Sequence, residues 1–185
     1  VAGLDNRFQS FQPFQRFQVP NNVWNNWNPW NVWNPLVWNV WNPNSEVIMY
    51  LSAEKIAAMA GEHRVHFVNP AAKRINKSLG DAAGLKNLGV HMVTVAPGDR
   101  SSEYHCHRYE DEAIYVISGR GTATIGVESF KIGPGDFLGF PGGGPAHETI
   151  NDGNEPLVCL VVGQRLAQDV VDYPRAGKRL YRNSG

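Results

Sequence analysis

Residues 98–119 read GDRSSEYHCHRYEDEAIYVISG, and this stretch decides the fold. On a β-strand, alternate side chains share a face. His105 and His107 therefore project together, while Cys106 points the other way. Glu112 lies five residues beyond His107 and opens an apolar run. Glu103 alternates with the two histidines and is expected to face the same cavity. There it could act as general acid or base on a bound substrate. It could equally be the partner that orients an imidazole.

From residue 89 onward, short apolar segments alternate with turn signals. Strands are expected near 89–95, 103–108, 113–118, 121–126, 128–132, 137–140, 146–151 and 157–163. Pro97-Gly98, Gly119-Arg120-Gly121, Gly133-Pro134-Gly135-Asp136 and Asp152-Gly153-Asn154 separate them. Short strands at this spacing indicate an all-β sandwich or barrel. Upstream, 46–50 reads as a strand, and Ser52 caps a short helix over 53–60 that Gly61 stops. Residues 65–68 read as a further strand, ended by Asn69-Pro70. Residues 73–85 are polar and punctuated by glycine, so a loop with at most a helical turn is expected.

His147 follows a Gly/Pro-rich turn and opens a later strand. With His105, His107 and Glu112 it makes a set of three imidazoles and one carboxylate. Such a set suits one divalent transition metal: Fe, Mn, Zn, Ni or Cu. Metal binding needs neutral imidazole and ionised carboxylate, so affinity should fall with pH. Glu110 and Asp111 compete with Glu112 for the carboxylate position. His91 reads as a structural strand residue, and His63, His66 and Arg100 carry no specific signal. Tyr115, Phe130, Phe137 and Phe140 read as packing, with Phe137 or Phe140 as a possible cavity wall. No nucleophile–His–acid arrangement is visible, and the glycines at 142–144 lack the helix and Lys-Ser/Thr of a phosphate loop.

The stretch 98–119 resembles the first motif of the cupin superfamily, with six residues between Gly98 and His105, four between His107 and Glu112, and six between Glu112 and Gly119. Gly135, Pro141, His147 and Asn151 resemble the second motif, with one extra residue before His147. The resemblance is strong over 85–165 and weaker over 46–84 and the tail. It implies a cupin-type double-stranded β-helix, or jelly roll, with a domain spanning 46–185. It also implies His105, His107, Glu112 and His147 as metal ligands, beside which Glu103, placed by alternation, is the catalytic candidate. Residues 79–85 and Asp172-Tyr173-Pro174 look like those of small single-domain bacterial cupins. Cupin chemistry is diverse, so fold does not give reaction. One reading is an isomerase or epimerase that moves a proton on a small sugar or sugar-phosphate-like molecule. A second is an Fe(II) dioxygenase of a small molecule. A third is a non-catalytic ligand-binding module. The motifs show no Arg/Lys phosphate clamp.

Lys+Arg and Asp+Glu both number 17, so net charge gives no support for nucleic-acid or membrane-surface binding. The basic residues at 175–182 read as a solvated end. Cys106 and Cys159 form no paired motif and are expected as reduced thiols. No apolar run is long enough to span a membrane. The first residues lack the order of a signal peptide, so a cytoplasmic protein is expected. Edge-strand pairing through 46–68 would make it a homodimer.

Residues 1–45 differ in kind. Phe-Gln recurs at Phe8, Phe11, Phe14 and Phe17, and Trp-Asn recurs through all six tryptophans, from Trp24 to Trp41. A period of three fits neither helix nor half-buried strand, but does fit an extended polyproline-like run. An aromatic tail that binds carbohydrate or a partner is one reading. The other lies in the coding DNA: TGGAAC encodes Trp-Asn, and its reverse complement GTTCCA encodes Val-Pro or contains Phe-Gln. Phe17-Gln18-Val19-Pro20 has that content. Sequencing the gene should show an inverted repeat here; codon usage without one would refute this origin.

Overall fold

A computed structural model of the chain describes residues 49–183. The Phe-Gln and Trp-Asn stretches, and 46–48 of the expected first strand, lie outside the described residues. Met49 and Tyr50 carry no strand. The described chain runs α1 (Ala53–Ala58), β1 (Glu62–Val65), β2 (Lys73–Ser78), α2 (Leu79–Ala82), β3 (Leu88–Val95), β4 (Cys106–His107) and β5 (Glu112–Ser118). It continues β6 (Gly121–Ile125), β7 (Glu128–Ile132), β8 (Phe137–Phe140), β9 (His147–Ile150), β10 (Leu157–Gln164), β11 (Gln168–Tyr173) and β12 (Lys178–Asn183).

The strands form an all-β jelly-roll barrel. One sheet has the order β1-β2-β3-β10-β5-β8, a second β12-β11-β4, and a third β7-β6-β9. All the pairings are antiparallel. Between the first and third sheets lies the core: Val93, Val95, Ile114, Val116, Ala123, Ile132, Phe140, Leu157 and Cys159. Alternation puts these on inward positions, where each large apolar side chain contributes about 1.5–3 kcal/mol. Burial pushes the Cys159 thiol up to about 11, so it stays protonated.

Turn residues set the connections. Gly119 takes a φ of 79°, and a Cβ there would meet the Pro156 carbonyl oxygen at 2.3 Å. Asn151 is fully buried and works as a staple. Its amide donates to the Val95 and Glu155 carbonyls at 2.8 Å each, and its oxygen accepts from Gly153 N–H. Ser52 caps α1 as expected, accepting from Lys55 N–H, though the helix ends at Ala58.

Four expectations need correction. The strand expected over 65–68 lies at Glu62–Val65. The polar stretch from 73 is strand β2 followed by α2. It lacks apolar alternation because its inward residues, Arg74 and Asn76, face a polar cavity. The strand expected over 103–108 shrinks to Cys106–His107, with His105 joined to His147 by an isolated bridge. Finally, the basic tail is not a solvated end but β12, paired along its length with β11.

Ion pairs hold that hairpin. Asp172 accepts from Arg179 Nε at 2.5 Å and from Arg108 Nε at 2.7 Å. The Arg179 hydrogen bond, outweighing a small burial effect and aided by Arg108, lowers the Asp172 carboxyl to about 2. A carboxyl depressed on folding stabilises above its unfolded value and loses that contribution as pH falls through the folded value. Wild type and Asp172→Asn should therefore differ in urea midpoint at pH 6, and the difference should shrink between about pH 4 and about pH 2. A constant difference over that window would show that the pair contributes no pH-linked stability.

Candidate metal centre

The site is built where three strands meet. His105 N–H donates to the His147 carbonyl at 3.0 Å, and His147 N–H returns the bond to His105 at 2.7 Å. On the other side, β4 pairs with β11, matching His107 to Val171 and Cys106 to Asp172. Glu112 opens β5. These elements bring His105, His107, Glu112 and His147 to one cavity of about 290 Å³. Cys106 does not line it.

The donor atoms converge on the carboxylate. The Nε2 atoms of His105, His107 and His147 lie 3.7, 3.7 and 3.4 Å from Glu112 Oε2. The ligand atoms of His105, Glu112 and His147 all lie within 4.8 Å of one another, and His107 reaches the same carboxylate oxygen, a spacing compatible with donors about 2.0–2.2 Å from one ion. Hydrogen bonds at the far ring nitrogens orient two of the three imidazoles. His105 Nδ1 meets the Glu103 carbonyl at 2.8 Å, and His107 Nδ1 meets Asp169 Oδ2 at 2.6 Å. Both partners only accept, so each of these rings carries a proton on Nδ1 and turns Nε2 toward Glu112.

Glu112 Oε2 and His147 Nε2 are buried without a hydrogen-bond partner. Such atoms cost about 1–3 kcal/mol each if left unsatisfied. The Glu112 carboxyl is held well below the usual carboxylate range: burial would raise it, but the neighbouring His105 and His147 imidazoles outweigh that. Burial lowers His147, opposed by Glu112 and aided by His105 and His107. Phe140 stacks on the His147 ring at 3.5 Å and 3°, which sets its orientation. The carboxylate is thus ionised and His147 neutral, the forms a metal ion requires.

The other candidate carboxylates are engaged by different partners, although Glu110 and Asp111 also line the cavity. Glu103 is buried, but its carboxylate accepts from Asn69 Nδ2 at 2.5 Å and does not line the cavity. Alternation with His105 does not reach it because the chain bends at Tyr104. Asp111 Oδ1 accepts from Gly142 N–H, fastening the longer loop before His147. Glu110 pairs with Arg182. His107, Glu110 and Asp169 form a second cluster of potential ligands. Arg182 already stands there, paired to Glu110 and 4.0 Å from Asp169, so its positive charge is supplied.

Asp169, His66, His91, Arg74 and Arg182 were not expected at the site. Asp169 is buried on β11, and His107 holds its carboxyl below the ordinary value against the effect of burial. Gln168–Tyr173 shows no apolar alternation, so nothing in the sequence marked it. His66 and His91 line the cavity, and burial lowers both. His66 Nδ1 accepts from Val68 N–H at 3.2 Å, which leaves the ring proton on Nε2.

Among the described residues no helix is long and apolar enough to cross a membrane. A family model for the cupin domain matches residues 91–163. The chain is 58% identical to a crystal structure from Acidithiobacillus ferrooxidans, named provisionally as a sugar phosphate isomerase. That match covers 74% of this chain and 88% of the other, with a TM-score of 0.73. A structure from Silicibacter pomeroyi, named a sugar phosphate isomerase from a cupin superfamily, is 32% identical. It covers 62% and 77% of the two chains, with a TM-score of 0.56. An uncharacterised protein of Methanocaldococcus jannaschii is 33% identical over 66 residues, so this chain spans about half the length of that curated relative.

Replacing Asp169 with Asn should weaken Mn(II) binding by about 10–100-fold while keeping one site, because the His107 ring loses the carboxylate that orients it. Fluorescence or calorimetric titration checks this; unchanged affinity would show that Asp169 does not act through His107.

Proposed function

This chain belongs to the cupin superfamily, and we propose that it is a metal-dependent enzyme of isomerase or epimerase type acting on a small polar substrate. The observation that carries the reading is the convergence of three imidazole Nε2 atoms on Glu112 Oε2, within 3.7 Å, in a cavity with polar walls. His105, His107, Glu112 and His147 would hold one divalent transition metal. When bound, such an ion acts as a Lewis acid toward a substrate oxygen and acidifies the adjacent C–H or O–H.

The chain's own residues supply positioning and protons. The Glu103 carbonyl and Asp169 carboxylate fix two imidazole rings. His66, neutral and protonated at Nε2, is placed to donate to an oxygen on which charge develops. Glu103, bound to Asn69, acts in this reading through its carbonyl on His105 and through its charge, which favours protonation of His66. The names of the two similar structures, one of them provisional, point the same way. A homodimer is part of the reading, supported by the exposed edge strand β1 and by Val65 and Phe67, which are 61% and 71% exposed.

Protein purified without added metal should carry close to one divalent ion per chain, and His105→Ala should abolish that stoichiometry. With the metal found, aldose and ketose substrates and their phosphates in D2O should gain deuterium at the carbon beside the carbonyl. Oxygen consumption without deuterium uptake would instead identify a dioxygenase. Metal binding with neither would leave a ligand-binding role.

A further inference from the structure

We propose that Arg74 anchors an anionic group, phosphate or carboxylate, on the small molecule this cavity receives; the inference rests on the metal-dependent reading above and names the charge its substrate carries.

Strand β2 alternates, so Arg74 and Asn76 share a face, and both line the cavity. Arg74 Nη1 donates to the Ser101 carbonyl, while its Nε is buried without a partner. No carboxylate among the described residues lies within 4.0 Å of this guanidinium. The contrast with its neighbours is sharp. Arg182, the other arginine of the cavity, is paired with Glu110. Arg64, opposite Arg74 on β1, is paired with Glu62. Arg100 and Arg175 share Glu148, Arg108 and Arg179 share Asp172, and Arg165 has Asp81.

A half-buried guanidinium whose Nε is shut off from water and lacks an anion is unfavourable. Burial pushes the Arg74 pKa down, and Glu112 is the chief group opposing that. Yet three imidazoles already crowd the Glu112 carboxylate, and a metal ion there would claim its charge. Arg74 then lacks a counter-ion that only a ligand can bring. Its planar fork matches two oxygens of a phosphate or carboxylate. Ser101 and Ser102 line the same wall.

Position adds a second argument. Arg74 also lines an adjoining recess of about 440 Å³, bounded by β1, β2, β11 and β12. It therefore stands at the junction of this recess with the cavity that holds the four convergent side chains. An anion held there leaves the rest of a short molecule directed at the Nε2 atoms. The inner volume is at the small end of ligand pockets, which suits a compact substrate.

The test is calorimetric titration of the full chain, loaded with Mn(II), with inorganic phosphate and separately with malonate. Wild type should bind at least one. Arg74→Gln should weaken that binding by about tenfold or more, with Arg74→Lys intermediate. Both variants should keep Mn(II) stoichiometry, and Arg120→Gln, which lines neither the cavity nor the recess, should leave anion binding unchanged. Phosphate binding alone, or malonate binding alone, identifies the group. Wild type that takes up Mn(II) but neither anion overturns this proposal, as does Arg74→Gln binding as tightly as wild type. If Arg74→Gln does not fold, Arg74→Lys decides, since unchanged affinity there with unchanged Arg120→Gln overturns the fork. Anion binding by a protein that takes up no Mn(II) overturns the metal reading and leaves this one standing.

Discussion

The site depends on one reciprocal main-chain interaction, the two hydrogen bonds between His105 and His147. These residues lie far apart in sequence, on segments assigned to different sheets. Their bridge fixes both Cα positions by backbone geometry, which no side-chain rotation can undo. Without it, β4 would be held by its pairing with β11 and by a single bond from Gly143 N–H to the His107 carbonyl. The rings reach their places because the backbone has already brought them there. Phe140, stacked on His147, then removes the remaining rotational freedom.

The second constraint is electrostatic. The interior of this barrel is divided between an apolar core and a cavity whose walls are imidazole, carboxylate and guanidinium. The core makes the cavity expensive: charges near Ile114 and Val161 cannot rely on water for solvation. Each polar group there must find a partner. Glu148 shows the solution in closed form, fully buried between Arg100 and Arg175. His107 with Asp169, and Glu110 with Arg182, show it beside the cavity. Where partners are missing, at Glu112 Oε2, His147 Nε2 and Arg74 Nε, the chemistry is open to something that binds.

Much of this was legible in the sequence where the usual patterns apply. Strands from Leu88 to Gln164 announced themselves because apolar residues face the core and glycine marks the turns. Alternation placed His105 and His107 together, and spacing selected Glu112 over Glu110 and Asp111. The same logic failed where inward meant polar. Strand β2 offers Arg74 and Asn76 to the interior, so it looked like a loop. Strand β11 buries Asp169 between less telling neighbours, and β12 looked like a charged end. Glu103 failed for a different reason. Alternation was extended through Tyr104, where the backbone bends, and a side chain expected in the cavity turns to Asn69 instead.

One consequence concerns modularity. The matched family region ends at residue 163, yet Asp169 and Arg182 come from the hairpin beyond it, and Arg74 comes from a strand before it. The convergent donors therefore belong to the shared barrel, while the groups that tune and charge the cavity belong to its flanks. Such a division lets the flanks diverge without disturbing the donors. Evolution, or a protein engineer grafting new hairpins, can change what the barrel accepts while inheriting its central chemistry intact.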